Sequence, residues 1–435
     1  MERKEFIKGA VWITVGGFVS KLIGALYRIP LTNLIGGYGI GLYQMIYPFY
    51  CLLLTLSATG IPSAVSALTA SEIAKGSNAR NTLSPAMKLF AFIGGIGTLL
   101  MLSLSHTLAN AQGETALVGG YITLAPSVFL VSILAVFRGW LQGKGNMKPT
   151  AISEILEQII KVCIGLLFAY LYRGNIQKSV TALLFAVTVS EFFAVCYMFI
   201  VYKRVPVPVI PKNQGGRVAV KEILKVSIFV TLTSALLPFS NMLESVFLPR
   251  LMGKYTTQAV SLYGLYAGGA VTLIGLPVSL CYGITAVTVP SVASAPKSER
   301  RKRIFYALGF TLLISIPCAI ALFLFAPTAV NVVYKSLSVT EKQTLIQLLR
   351  ALTPTAVTLS SLQTLSACLT AQGKPRFGSL SMLLGVAVKL VLEFFLVSKA
   401  TYSIFGATVA TNVCYAIVFL INLIVNLRLT RKEKQ

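Results

Sequence analysis

The chain has 435 residues, 55% of them hydrophobic and only 12% charged. Soluble domains carry about a quarter charged residues, so these numbers exclude an ordinary water-soluble fold. The net charge is +25, and every acid is Glu because the chain contains no Asp. So basic a balance points to nucleic acid or to a membrane surface. Here the cations sit in short loops between apolar runs, which selects the membrane and leaves no nucleic-acid role. The ~10-residue alternating segments of a transmembrane β-barrel are absent.

In chain order, the apolar runs and their charged or Gly/Pro breaks predict twelve spans. The first six cover 9–28, 40–70, 84–106, 116–141, 150–172 and 180–202. The second six cover 223–248, 259–293, 304–326, 344–371, 377–398 and 403–427. The start "MERKEF" has the charge pattern of a signal peptide but no small-residue cleavage site follows, so 9–28 reads as an uncleaved span. Lys and Arg gather on the side that holds both termini, the loop around Lys75 and Arg80, the linker and the run Arg300–Arg303. The positive-inside rule therefore puts both termini in the cytoplasm.

The two halves repeat. "YITLAPSVFLVSIL…LQGK" (121–144) returns as "LRALTPTAVTLSSL…AQGK" (349–374), and each is followed by a span with one lysine, Lys161 or Lys389. Six spans is an even number, so both halves enter the membrane from the same side and form parallel repeats. The expected organisation is a lobe at 1–202, a linker at 203–222 rich in Pro, Gly and cations, and a lobe at 223–435 with a short basic tail. The fold class is an all-α polytopic membrane protein, with twelve transmembrane helices in two parallel six-helix repeats around a central cavity.

Ionisable groups inside spans are costly and mark cavities or partners. Lys21 and Arg28 are seven residues apart and share a helix face, a cationic ladder suited to phosphate or diphosphate. The alternative is that Arg28 reaches to the interface and Lys21 pairs with a Glu of another helix. Glu157 with Lys161, and Lys389 with Glu393, are i,i+4 pairs in equivalent spans. They either neutralise themselves or present their lysines to an anion. Glu244 and Glu191 have no cation nearby in sequence and are candidates for a coupling ion or proton. Pro126 and Pro354 correspond in the repeat and are candidate bending points.

The seven cysteines all fall in apolar segments without a CxxC pair, and His106 is the single histidine. The cysteines read as packing residues and His106 as a surface residue at the end of a span, and no metal site or cofactor is expected. No P-loop, HExxH or GxSxG occurs, so no enzymatic activity is expected.

The stretches "SKLIGALYRIPLTNLIGGYGIGLYQMIYPFY", "TGIPSAVSALTAS" and "FRGWLQGKGNMKPTAISEILEQIIKV" resemble the stage V sporulation protein B family. That family lies within the multidrug, oligosaccharidyl-lipid and polysaccharide exporters. The resemblance spans nearly the whole chain and is strongest over 20–162. It implies two six-helix lobes around a V-shaped cavity and export of an undecaprenyl-diphosphate-linked saccharide, a precursor of peptidoglycan or another polysaccharide. In the lipid II flippase group of these exporters, first-helix cations line the cavity. Ser20-Lys21 falls where that group has Ser-Arg, so the charge is kept and the bidentate fork is lost. Members of the family commonly carry two helices beyond the twelve found here.

The expectation is a flippase working by alternating access in the cell membrane, in sporulation or in wall growth. Lys21, Arg28, Lys161 and Lys389 would hold the diphosphate, and Glu244, Glu191, Glu157 and Glu393 would be cavity or coupling acids. Transport would draw on Na+, H+ or the membrane potential. The expected partners are the lipid-linked precursor, the bilayer and proteins of cell-wall synthesis. Two competing readings are a cation-coupled multidrug exporter of the same fold, served by Glu244 and Glu191, and a non-transporting cell-envelope scaffold.

Overall fold

The computed structural model describes residues 3–76, 80–205, 231 and 234–432. Among the described residues every regular element is helical. The chain opens with α1 (Arg3–Leu54), which Gly36 divides into two legs through a φ of 68° and a ψ of −176°. A side chain would be strained at that φ, and glycine is not. At 1.5 Å per residue the first leg is roughly 50 Å long, well beyond the ~30 Å of bilayer hydrocarbon. It contains the predicted span 9–28 and continues past it. The gap between the predicted spans 9–28 and 40–70 is a break at one residue.

The second leg passes through a π-helical turn, Thr55–Thr59, into α2 (Ile61–Ala74). There follow α3 (Arg80–Ser103), a short α4 (Ser105–Gln112), α5 (Leu117–Gly143), α6 (Lys148–Leu171) and α7 (Ile176–Arg204). The predicted linker 203–222 lies outside the described residues beyond 205. The chain resumes in α8 (Leu236–Met252) and α9 (Ala259–Gly264), then a π-helical turn, Leu265–Ala270, then α10 (Val271–Ala293) and α11 (Lys297–Leu324). A short α12 (Ala326–Val333), α13 (Val339–Ala371), α14 (Pro375–Val397) and α15 (Phe405–Lys432) complete it.

Nine helical stretches among the described residues are long and apolar enough to cross a membrane. One of them, Val15–Ala74, holds both legs of α1. Counting those legs separately and adding α6 and α8 gives the twelve spans expected. The repeat is visible in the packing. In the first half α5 packs against α2, α3 and α7, and α6 packs against α7. In the second half α13 packs against α10, α11 and α15, and α14 against α15. Each half also places a short helix, α4 or α12, just before the central one. Pro126 and Pro354 sit inside α5 and α13, and neither ends its helix. Pro354 cannot bond the Arg350 carbonyl, and the Thr353 hydroxyl donates to that carbonyl instead, at 2.7 Å.

Contacts gather the chain into two compact units. The first comprises Met1–Gly24 and Met45–Val246, the second Ala25–Gln44 and Phe247–Gln435. Trp140, Leu134 and Val136 of α5 are fully buried at the centre of the first unit's core, among Ile61, Phe90 and Met198. The second unit packs Leu365 and Cys368 of α13 against Val292, Ile304 and Leu308.

A backbone crossing within the second unit explains why 25–44 belongs to it. A Cβ on Gly264 would lie 2.5 Å from both the Gly37 carbonyl oxygen and the Gly41 nitrogen. A Cβ on Gly41 would collide with the Val260 carbonyl, and one on Gly268 with Ile40. Gly37 and Gly41 on one strand of the crossing, and Gly264 and Gly268 on the other, form two facing GxxxG motifs, a spacing that lets membrane helices touch backbone to backbone.

This crossing predicts that Gly264→Leu forces the helices apart and lowers the melting temperature of the detergent-purified protein by several degrees, since overpacking costs about 1–3 kcal/mol. Gly275→Ala, which enters open space on α10, is expected to leave the melting temperature unchanged or slightly raised. Equal melting of the wild type and Gly264→Leu would refute the crossing.

Candidate functional site

Charges buried in a span must be compensated, because desolvating one costs several kcal/mol. The first unit shows how this chain does it. The helix α6 carries Ser153, Glu157 and Lys161 at i, i+4 and i+8, so they stand on one face. Ser153 and Lys161 are buried. Arg138, five residues before the end of α5, reaches that face. Its Nε donates to Ser153 Oγ at 2.9 Å, and an Nη lies 3.1 Å from Glu157 Oε2. Gln158 donates to the other Glu157 oxygen at 3.2 Å.

From α7, the buried Glu191 enters the same group. The Tyr50 hydroxyl of α1 donates to its Oε1 at 3.4 Å, and Glu157, Arg138 and Lys161 all act on it electrostatically. Its Oε2 is buried and makes no hydrogen bond among the described residues. Two cations and two acids therefore meet inside one six-helix unit, close to neutral as a set.

The surroundings of Glu157 are wider than its spacing to Lys161 one turn along suggested, because Arg138 also reaches it from α5. The reason is geometric. Arg138 belongs to α5 rather than to a loop, its side chain is only 15% exposed, and a guanidinium so placed needs a carboxylate in reach of its fork. Arg138, Ser153 and Glu157 all lie within the motif "FRGWLQGKGNMKPTAISEILEQ". The length of that motif is the length of the α5–α6 hairpin that brings them together, and this was the signal for Arg138.

The second unit repeats the face with different chemistry. Ser381, Gly385, Lys389, Glu393 and Val397 form the buried stripe of α14, and Ser381 and Lys389 match Ser153 and Lys161. The acid has moved from one turn before the lysine to one turn after it. Lys389 Nζ lies 3.8 Å from Glu393 Oε1, with both side chains buried, so the expected pair is present. Where the first unit uses Arg138 to join α5, α6 and α7, the second joins α13, α14 and α15 through neutral groups. Ser381 donates to Asn422 Oδ1 at 2.6 Å, and Asn422 Nδ2 donates to Ser366 Oγ at 3.0 Å.

Arg28 belongs to the second unit and is half-buried. Its Nη1 donates to Thr272 Oγ1 of α10 at 2.6 Å. It forms no salt bridge among the described residues, unlike Arg138 and Lys389. Beside it, in the loop between α12 and α13, burial pushes the Tyr334 phenol up to about 12, with the Arg28 guanidinium pulling the other way. The Tyr334 hydroxyl is buried and makes no hydrogen bond among the described residues. Neither Thr272 nor Tyr334 carried a signal in the sequence, because ordinary hydroxyls in apolar runs are common.

Glu244 on α8 lies in the first unit, is buried, and accepts from Ser240 Oγ at 2.9 Å. The backbone of Lys21 is in the first leg of α1, and its side chain lies outside the described residues. The eight predicted site residues thus divide. Glu157, Lys161 and Glu191 come together in the first unit and Lys389 with Glu393 in the second, while Arg28 and Glu244 stand on their own elements.

With this geometry in hand, the model of one family, described as "Polysaccharide biosynthesis protein", matches residues 6–296. The chain belongs to that family. Stage V sporulation protein B of Bacillus subtilis (strain 168) is 26% identical over 432 residues, which is 94% of this chain and 81% of that protein. Lipid II flippase MurJ of the same organism is 23% identical over 440 residues, 94% of this chain and 80% of that protein. Among solved structures, an inward-facing multidrug resistance MATE family transporter of the MOP superfamily matches with a TM-score of 0.77 at 17% identity, over 95% of this chain and 96% of that one. The kinship expected from the quoted stretches is therefore present. The fold is that of the twelve-helix exporters, and the chain is a membrane protein of the polysaccharide biosynthesis family.

The Arg138–Glu157 bridge predicts that Arg138→Met, which leaves Glu157 buried without its cation, destabilises the purified protein by about 3–5 kcal/mol. Arg138→Met combined with Glu157→Leu should recover most of that loss in the same denaturant titration. Additive losses in the double variant would show that the two residues do not act as a pair.

Proposed function

We propose that this protein is an exporter that flips a lipid-linked saccharide, carried on an undecaprenyl diphosphate, across the cell membrane by alternating access. The observation that carries this reading is Arg28. It is a guanidinium in a span, held by a neutral hydroxyl and balanced by no acid among the described residues. Such a cation is costly unless a ligand supplies the counter-charge, and a diphosphate matches the guanidinium fork. The buried Tyr334 hydroxyl beside it is a further donor for the same anion. Lys21, seven residues earlier in the sequence, is assigned to the same anion by the spacing alone.

Lys161 and Lys389 have acids within their own units, so the reading assigns the phosphates first to Arg28 and Lys21. The names of two relatives support it, stage V sporulation protein B and lipid II flippase MurJ. Saccharide export in wall growth or sporulation, with both termini cytoplasmic and cell-wall synthesis proteins as partners, belongs to the same proposal.

The buried acid cluster favours a role in coupling. Glu191 has one carboxylate oxygen hydrogen-bonded to Tyr50 and the other making no hydrogen bond among the described residues. A carboxylate so placed can take up a proton or a Na+ when the neighbouring Arg138–Glu157 bridge shifts. If coupling without lipid binding were found, the multidrug exporter reading would gain.

Native mass spectrometry with lipid II and undecaprenyl diphosphate tests the first part. Both lipids should bind the wild type through their shared diphosphate, Arg28→Ala should weaken both at least tenfold, and Arg28→Lys should fall between. A folded wild type that binds neither would overturn the flippase reading. For coupling, Glu191→Gln in proteoliposomes should transport at a rate that no longer responds to an imposed H+ or Na+ gradient, and a variant that keeps the full response would remove Glu191 from the mechanism.

A further inference from the structure

Away from these residues, α10 and α11 enclose a groove of about 700 Å³, inside the range of about 300–1,000 Å³ typical of small-molecule sites. It lies wholly within the second unit. Its walls are apolar, with Ile284, Val287 and Val292 on α10 and Phe310 and Ile314 on α11. Val287 is 68% exposed and Phe310 60% exposed, so the walls are open rather than packed on protein. Beyond the groove α11 exposes Leu313, Ile320 and Leu324 toward its far end. On a span, an apolar stripe of that length is a surface for acyl chains.

The mouth of the groove is basic. Arg303 ties its two walls together, donating to the Ser291 carbonyl of α10 at 2.9 Å. It also lies 3.6 Å from Glu299 and so offsets the one acid lining the mouth. Lys302 stands exposed over the Tyr306 ring at 5.7 Å, and both residues line the groove. Arg300, Arg301, Lys302 and Arg303 are four consecutive cations in the opening turns of α11, of which Lys302 and Arg303 line this groove. That position opposes the helix macrodipole, which favours acids at an N-terminus. The helix dipole therefore does not account for these cations.

We propose that this groove is a binding site for an anionic phospholipid of the cytoplasmic leaflet. The phosphate sits on Lys302 beside Arg303, which holds the mouth open, and one acyl chain lies between Val287 and Phe310. Basic clusters at the cytoplasmic end of a span bind anionic headgroups, at about fivefold in affinity for each charge. The site is separate in residues from the transport reading, and it stands or falls without it.

The test uses the full chain in neutral detergent, titrated with phosphatidylglycerol or phosphatidylcholine and read by native mass spectrometry and by melting temperature. Phosphatidylglycerol should bind and raise the melting temperature, and phosphatidylcholine should do so far less. Lys302→Gln should weaken phosphatidylglycerol by about fivefold at one charge, and Val287→Trp, which fills the groove and leaves every charge, should abolish the bound lipid. Arg28→Ala should bind phosphatidylglycerol as the wild type does. Equal binding of the two lipids, or phosphatidylglycerol binding untouched by both groove variants, overturns the proposal. So does displacement of phosphatidylglycerol by undecaprenyl phosphate at lower concentration, which would assign the groove to the polyprenyl lipid instead.

Discussion

The contact of Gly264 with the backbone at Gly37 and Gly41 fixes more of this molecule than any ion pair does. It holds the end of one leg of α1 and the start of the next against α9, in the second unit. Arg28 lies in that held segment, and its bond to Thr272 on α10 depends on the crossing. So does its nearness to Tyr334. This cation, which forms no salt bridge among the described residues, is thus positioned by glycines, which have no side chains to contribute. Small residues at a helix crossing bring backbones close and leave the neighbouring long side chains nowhere to go but along the seam.

The second organising constraint is the cost of charge in a medium of low dielectric. The two repeats meet it differently from one ancestral pattern. On α6 and α14 the serine and the lysine keep their places while the acid changes sides of the lysine. In the first unit an arginine from the preceding helix takes the displaced carboxylate, and Glu191 joins the group. In the second, asparagine and serine bridge the same three helices without charge. The two halves therefore meet the same cost with different groups, a charged network across helices in the first and amide–hydroxyl bonds beside one ion pair in the second.

Much of this was legible in the sequence. Apolar run length set the spans, the QGK repeat and its following lysine set the duplication, and the i,i+4 spacing of Lys389 and Glu393 set their pair. The break in α1 falls in the gap between the predicted spans 9–28 and 40–70, but a Gly-rich stretch does not say which single residue turns. Arg138 was not singled out, since its partners lie 15 and 19 residues on, across a hairpin. Thr272 and Tyr334 could not be singled out, because what distinguishes them is a neighbour more than two hundred residues away in the first case and burial without a hydrogen bond in the second.

The exchange of segments between the units also bears on the order in which the chain is made. Residues 25–44 leave the ribosome early, yet their partners on α9 and α10 come more than two hundred residues later. The first unit waits likewise for α8, which supplies Ser245 to the buried Gln112. Neither unit can close before the seventh and eighth spans are inserted. Contacts of such long sequence separation form slowly, and until they form the bare glycine backbone and Arg28 stand unmatched in the nascent protein. A chain interrupted at the linker would leave both units incomplete.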